Sequence, residues 1–388
     1  MTDELTERSI LFTGYPGFLS EHLLRRLADE TNAHIHLLVL PNTLKTARDR
    51  LERMGRQHPS LVGRWTLHAG DITDSLLGLT KSKYDELTGQ VGVVWHLAAL
   101  YDLSVDEAVA YRVNVGGTIN VLDFCERCED LQRLNYVSTC YVAGKRTGTI
   151  LEDELDLGQH HHNHYEATKF WAEVEVQRRL SDIPTAIFRP AIVVGDSRTG
   201  EISKYDGPYY VFQLLQRLPK WLPVPAIGRG GSPVNLVPVD FVADALSHLG
   251  HTAGTEGKVF HLADPYPLSA TQIVDQVLQR LNRPTTRGRL PLSWVERALE
   301  QRTVEGWTGV PREALVYFSH GPRFDTSRAS EALGRAGIAC PPLTSYLGRL
   351  LDFFLAHPDE PAVVIDQSSG QTGGDGASDS GRVSEGSI

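Results

Sequence analysis

Tyr165-Glu-Ala-Thr-Lys169 sets a phenol and an ammonium four residues apart. On a helix that spacing puts both side chains on one face, and a nearby cation makes a phenol a usable proton donor near neutral pH. A second stretch points to a phosphate-bearing ligand. Thr13-Gly-Tyr-Pro-Gly-Phe-Leu-Ser20 follows an apolar run and leads into a helical pattern. Gly14 permits a tight turn, and Gly17 lets backbone N–H groups approach a pyrophosphate at the helix N-terminus. The strand before this glycine turn and the helix after it are the context a dinucleotide site requires.

Those groups need elements to hold them. Ser9–Thr13, His34–Leu40, Trp65–His68, Val91–Trp95, Leu134–Ser138, Thr185–Arg189 and Lys258–Leu262 are short apolar runs. Continuous rather than alternating hydrophobicity marks strands covered on both faces. Amphipathic stretches such as Glu21–Asp29, Val113–Cys128 and Thr168–Leu180 lie between them. Strand and helix in alternation imply right-handed crossovers and a doubly wound sheet. The predicted fold is therefore α/β, a Rossmann-type doubly wound parallel sheet with a smaller, mainly helical C-terminal substrate lobe. Residues 1–263 form the nucleotide-binding part, with an inserted substrate loop at 196–234 rich in Gly, Pro and Tyr. The lobe covers 264–357, with helices expected at Ala270–Leu281, Ser293–Glu300, Ser327–Ala336 and Thr344–Ala356. An acidic Gly/Ser tail at 358–388 is expected to be disordered, because it carries too little apolar surface to offset ordering.

Composition narrows the class. The chain has 388 residues, 41% of them hydrophobic, with Lys+Arg 38 against Asp+Glu 48 and a formal charge of −10. No global positive field draws it to nucleic acid. No stretch reaches the length of a membrane span, and the N-terminus carries charge where a signal peptide needs an apolar run. Four Cys in a chain this long suit a reducing compartment. The expectation is a cytoplasmic protein.

The G-x-x-G-x-x-S spacing resembles the glycine turn of extended short-chain dehydrogenases/reductases, with Ser20 where a third glycine is usual. That resemblance implies further residues. Thr139, at the end of a strand and 26 residues before Tyr165, would hydrogen-bond a substrate carbonyl. Asn114, in Arg-Val-Asn-Val-Gly-Gly-Thr118, would hold a water beneath Lys169. The implied mechanism has Thr139 stabilising the carbonyl oxygen, Tyr165 protonating it, and Lys169 acidifying the phenol and binding the nicotinamide ribose. Ser138 and Cys140 should face away from that site. The implied coenzyme contacts are Thr13, Gly14, Tyr15, Pro16, Gly17, Phe18 and Leu19 at the turn, and Asp71 and Ile72 at adenine. Leu97, Ala98 and Ala99 along the cofactor, with Tyr165, Lys169, Arg189, Pro190 and Ile192, complete them. Specificity should be written after the second strand. Leu40 and Pro41 supply no acidic residue for the ribose of NAD, whereas Lys45 and Arg48 suit a 2′-phosphate. The reading is NADP ahead of NAD.

Phe188–Gly200 and Pro233–Asp240 are similar to the terminal reductase domains of aminoadipate reductase and peptide synthetases, and to the male-sterility and fatty-acyl reductase branch. Val94–Asp240 is similar to a bacterial subgroup that includes the mupirocin-pathway reductase, and the resemblance runs from residue 9 to about 355. It implies reduction of a carbonyl, first of all an acyl thioester taken to aldehyde or alcohol. The acyl group would come from a separate carrier or from CoA. A nucleotide-sugar epimerase or dehydratase is the alternative, with Arg217, Lys220 and Arg229 available for a diphosphate. A cofactor-sensing protein without catalysis is the third reading, but such proteins tend to lose the Tyr or the Lys. A homodimer through the Tyr-bearing helix is expected from the relatives. An apolar 196–234 loop favours acyl groups, whereas converging cations favour a diphosphate.

Other residues invite chemistry and are not assigned any. His160, His161, His162 and His164 are consecutive or nearly so, their side chains diverge, and nothing nearby completes a metal cage. They read as a loop at the pocket rim. Cys125 and Cys128 form a C-x-x-C without a second pair and read as half-buried helix packing. Trp294, Trp307 and Phe353–Leu355 read as core.

Overall fold

The computed structural model describes residues 8–101, 106–227, 231–291, 294, 297 and 321–358. Arg229, most of Ser293–Glu300, Trp307 and the tail lie outside the described residues.

Seven strands form one parallel sheet: β1 Ser9–Thr13, β2 Ile35–Val39, β3 Trp65–Ala69, β4 Val91–His96, β5 Arg133–Val137, β6 Thr185–Pro190 and β7 Val259–Leu262. Their order across the sheet is β7-β6-β5-β4-β1-β2-β3. The order reverses between β1 and β4, which pair directly from Ile10 with Val93 to Thr13 with His96. That reversal opens a crevice at the carboxyl ends of these two strands, where α/β sheets bind ligands.

The helices are α1 Phe18–Glu30, α2 Leu44–Gln57, α3 Lys81–Gln90, α4 Glu107–Tyr111, α5 Gly117–Arg127, α6 His164–Arg178, α7 Pro208–Arg217, α8 Val239–His251, α9 Ala270–Arg280, α10 Ser327–Gly334 and α11 Leu347–Ala356. Two cores flank the sheet. Leu23, Leu27, Leu51, Leu246 and Leu249 from α1, α2 and α8 pack on one face with Ile10 and Phe12. Leu87, Leu122, Phe124 and Val176 from α3, α5 and α6 pack on the other with Leu11 and Val94. Strand residues alternate between the cores, so the apolar positions of the strands find cover on both faces, whereas Leu40, beyond the end of β2, is exposed.

The segments that break the alternation build a third core. Tyr209, Phe212 and Leu215 of α7 meet Ile273 of α9 and Leu350 and Phe354 of α11. Arg217 and Lys220 stand exposed outside it. Trp294, expected in the core, is 64% exposed. No helix among the described residues is long and apolar enough to cross a membrane.

Candidate active site

The glycine turn is as tight as its residues allow. Gly14 adopts φ +90, and a Cβ there would meet Ala98 N and Leu97 C, both at 2.7 Å. The turn thus presses on the end of β4 and leaves no room for a side chain. Gly17 precedes α1, whose first backbone N–H groups, from Phe18 and Leu19, lack intrahelical acceptors. This cradle fits the pyrophosphate of a dinucleotide. Gly17's own N–H is committed within the turn, to Gly14 O at 3.1 Å and Ser20 Oγ at 2.8 Å. Ser20 is buried, and its hydroxyl donates back to Gly14 O or Gly17 O. It is a stitch in the turn as well as a small residue.

Other coenzyme positions divide. Asp71 Oδ1 accepts Thr73 N–H at 2.8 Å and Asn120 Nδ2 donates to Ile72 O at 2.7 Å, which fixes the bend after β3. Tyr15 turns its ring into the core, with its hydroxyl 3.4 Å from Ala47 O, so only its backbone lines the turn. Arg48 is exposed, and Lys45, 92% exposed, lies 3.9 Å from Asp49. Arg50, two residues on, is the cation that reaches the turn: it donates to Pro16 O at 3.3 Å and Glu21 Oε1 at 2.6 Å. Sequence alone does not single it out, because nothing in a single helix says which face meets the turn.

The start of α6 is set by reciprocal capping. Asn163 Oδ1 accepts Glu166 N–H at 2.9 Å and Glu166 Oε2 accepts His162 N–H at 2.8 Å. Tyr165 therefore sits in the first turn and Lys169 one turn on. Thr139 lies just beyond the end of β5 and caps a short turn at Cys140–Ala143, with its hydroxyl beside the Tyr165 phenol. Pro190 O is 3.4 Å from the Thr139 hydroxyl, and Ile192 opens a two-strand ladder with Leu236. Burial raises the Tyr165 pKa, Glu166 raises it further, and the Thr139 hydroxyl lowers it. The phenol is protonated at neutral pH. Tyr101 packs edge-on against it with ring centroids 4.8 Å apart, a neighbour that no pattern in the sequence singles out.

Lys169 differs from expectation. Its Nζ donates to Tyr136 Oη at 3.1 Å and to Val137 O at 2.9 Å, and lies 4.6 Å from the Tyr136 ring centre. A buried ammonium needs acceptors, and β5 supplies them beneath the helix. Burial pulls its pKa down to about 8, against the opposing pull of Glu173. Asn114 lies in a π-helical turn, Arg112–Gly116, between α4 and α5. Its side chain accepts Leu100 N–H at 2.7 Å and donates to Thr168 Oγ1 at 2.9 Å, so its amide is engaged with α6 and the β4 loop.

The Arg189 side chain, expected at the coenzyme, is committed within the protein instead. Both it and Glu173 are fully buried, paired at 2.6 Å, with Ser138 donating to Glu173 at 2.5 Å. The guanidinium also donates to Glu154 O at 2.8 Å. Ser138 and Cys140 face away from Thr139 as expected, Cys140 Sγ lying 2.9 Å from Arg189 O. In the histidine run, His160 O accepts Lys145 N–H and the His161 ring packs on Phe170.

Comparison with known proteins agrees with this geometry. The family model for the NAD-binding male sterility protein matches residues 12–246. Glycine betaine reductase of Emericella nidulans is 32% identical over 305 residues, covering 74% of this chain and 23% of that protein. A linear gramicidin synthase of Brevibacillus parabrevis is 27% identical over 372 residues, covering 89% of this chain and 7% of that one. The chain thus spans under a quarter of the length of either relative. The terminal R domain from the myxalamid PKS-NRPS biosynthetic pathway superimposes with a TM-score of 0.77 at 26% identity, covering 90% of this chain and 91% of that one. With its parallel sheet and glycine turn, the chain belongs to the NAD-binding male sterility family of extended short-chain dehydrogenases/reductases.

Proposed function

We propose that this chain reduces the carbonyl of an acyl thioester, carried on CoA or on a carrier protein's phosphopantetheine, to the aldehyde or alcohol. The observation that carries the reading is Tyr165 and Lys169 one turn apart at the start of α6, both buried, with the Thr139 hydroxyl beside the phenol and lowering its pKa. NADPH, when bound, supplies the hydride. The Gly14–Gly17 turn and the N-terminus of α1 would hold its pyrophosphate, Asp71 and Ile72 its adenine, and Leu97–Ala99 its flank. Lys45 and Arg48, just after β2, and Arg50, which reaches the turn at Pro16, are the cations that would favour a 2′-phosphate.

Thr139 and Tyr165 address the carbonyl oxygen together: one hydroxyl donates a hydrogen bond, and the protonated phenol gives up its proton as charge grows there. Lys169, held from below, keeps a positive charge near that exchange. The carbonyl becomes a hemithioacetal, which releases thiol and leaves aldehyde. The exposed positions of Arg217 and Lys220 and the apolar packing of α7 support an acyl rather than a diphosphate substrate. A cytoplasmic homodimer, paired through the α6 face that bears the half-exposed Trp171, goes with this reading.

The test is NADPH and NADH oxidation with octanoyl-CoA and octanoyl-pantetheine, following released thiol. Tyr165→Phe should lower kcat by about 10²–10⁴-fold, the range for a lost general acid. Coenzyme binding without thioester-dependent oxidation would overturn the thioester reading.

A further inference from the structure

The Lys169 ammonium rests on a chain of buried hydroxyls rather than on the Asn114 side chain. Tyr136, fully buried on β5, accepts from Lys169 Nζ at 3.1 Å, and the Thr118 hydroxyl beside it favours the ionised phenol against the opposing effect of burial. Thr118 Oγ1 lies 2.6 Å from Asn114 O and 3.1 Å from His96 Nε2. His96 Nδ1 lies 2.8 Å from Thr13 Oγ1, which accepts Ala98 N–H at 3.3 Å. One fixed end orients the rest. Asn114 O only accepts, so the Thr118 proton goes there and His96 Nε2 must carry the hydrogen of its bond to Thr118. A neutral His96 then accepts the Thr13 hydroxyl proton at Nδ1. The lone pairs of the Tyr136 hydroxyl face Lys169. His96 is neutral, its pKa pulled down to about 3 by burial and by Lys169.

We infer that the Tyr136 hydroxyl is a built-in bridge that positions Lys169, standing where the family resemblance implies a water between the lysine and Asn114. Tyr136 and, through it, Thr118 are positioning residues for the reductase reaction proposed above, on which this inference rests. A covalently held hydroxyl costs no immobilisation on each turnover and cannot be displaced when substrate arrives. It also joins the lysine, through Thr118 and His96, to Thr13 at the coenzyme turn.

The groups that face Lys169 are Glu173 on its own helix, Tyr136 on β5 and His96 on β4. Of these, the Tyr136 hydroxyl is a direct acceptor of its proton. Removing it should disfavour the ammonium and move the Lys169 titration to lower pH by about one unit, the size of one hydrogen bond to a charged group.

The experiment uses full-length protein with ¹³C-lysine and follows the Lys169 Cε resonance against pH, assigned with Lys169→Met. Tyr136→Phe keeps the ring and should shift the midpoint down. Thr118→Val, one group further away, should shift it the same way by less, and it carries the test where Tyr136→Phe does not fold. The alkaline limb of kcat with NADPH and octanoyl-CoA should move in parallel, with KM for NADPH little changed. An unshifted Lys169 midpoint in the folded variants overturns the bridge, even if melting temperature falls. A shifted midpoint in a wild type that turns over no thioester leaves the bridge standing and removes the proposed substrate.

Discussion

Helix α6 buries two charges one turn apart, and they are treated in opposite ways. Glu173 meets a full counter-charge: Arg189 at 2.6 Å, with Ser138 and Gln177 on the remaining lone pairs. Burial pushes its pKa up, but the Arg189 guanidinium and those hydrogen bonds hold it below the usual carboxylate range. Lys169, 3% exposed, meets a phenol and a peptide carbonyl and is pulled down to about 8. The carboxylate is locked in one state across the physiological range, whereas the amine is poised to change state at its edge. Buried charges given only neutral partners are the ones that chemistry uses. The structural pair instead ties β6 to α6 and to the Glu152–Glu154 loop.

The largest effect separating the two should come from Arg189→Met. It strands Glu173 as an uncompensated buried charge and removes the bond to Glu154 O. Loss of one partner of such a pair costs about 3–5 kcal/mol, read as a fall in the urea midpoint at unchanged slope. Arg189→Met with Glu173→Met should recover most of the loss. NADPH affinity of the folded single variant should stay within about two-fold, because the guanidinium lies inside the pair. A large loss of NADPH affinity with stability intact would return Arg189 to the coenzyme site.

Lys169→Met sharpens the contrast through pH. The folded pKa of about 8 lies below the ordinary 10.5, so between those values the unfolded chain binds a proton that the folded chain does not. Stability then rises with pH across that window. Relative to the Met variant, the wild type should gain about 3 kcal/mol between pH 8 and 10.5, measured by denaturation at several pH values. Its kcat should fall over the same window as the ammonium is lost. Glu173, ionised throughout, should give no such difference in an equivalent pair of measurements with Glu173→Gln.

Why these roles were only half legible follows from the geometry. The seven strands and the flanking helices were readable because continuous apolar runs have one use in a doubly wound sheet. Tyr165 and Lys169 stand out in the sequence because their spacing matches one helix face, whereas Thr139 enters only through the family resemblance. Tyr136 was not readable, since a tyrosine in an apolar strand looks like core until its hydroxyl is followed. A signal was present, however. Tyr136 and Ser138 are two apart on a strand and Lys169 and Glu173 four apart on a helix, so two matched periodicities bring both pairs together. Lys45 and Arg48 illustrate the opposite limit. Nearness in sequence to the end of β2 does not say which face of α2 turns inward, and it is Arg50 that reaches Pro16. Burial of Arg189 depended on Glu173, sixteen residues away, which no local pattern in β6 reveals.

The smallest effect concerns a third kind of buried polar group, one with no charge at all. Ser20 replaces the usual third glycine, and on size alone its exchange for alanine should be silent. Yet its hydroxyl accepts Gly17 N–H and donates into the turn. Ser20→Ala removes both bonds while Gly17 N–H keeps Gly14 O at 3.1 Å. Each neutral hydrogen bond is worth about 1 kcal/mol, and Gly17 N–H keeps its second acceptor, so stability should drop by about 1–2 kcal/mol. Because the stitch holds the turn in shape before the coenzyme arrives, NADPH affinity should weaken by about two- to five-fold, with kcat unchanged. Fluorescence titration with NADPH measures it. A stability loss with unaltered affinity would mean that the cradle is held by Gly14 against Leu97 and Ala98 alone, and that neutral stitches, unlike the lysine above, serve the fold only.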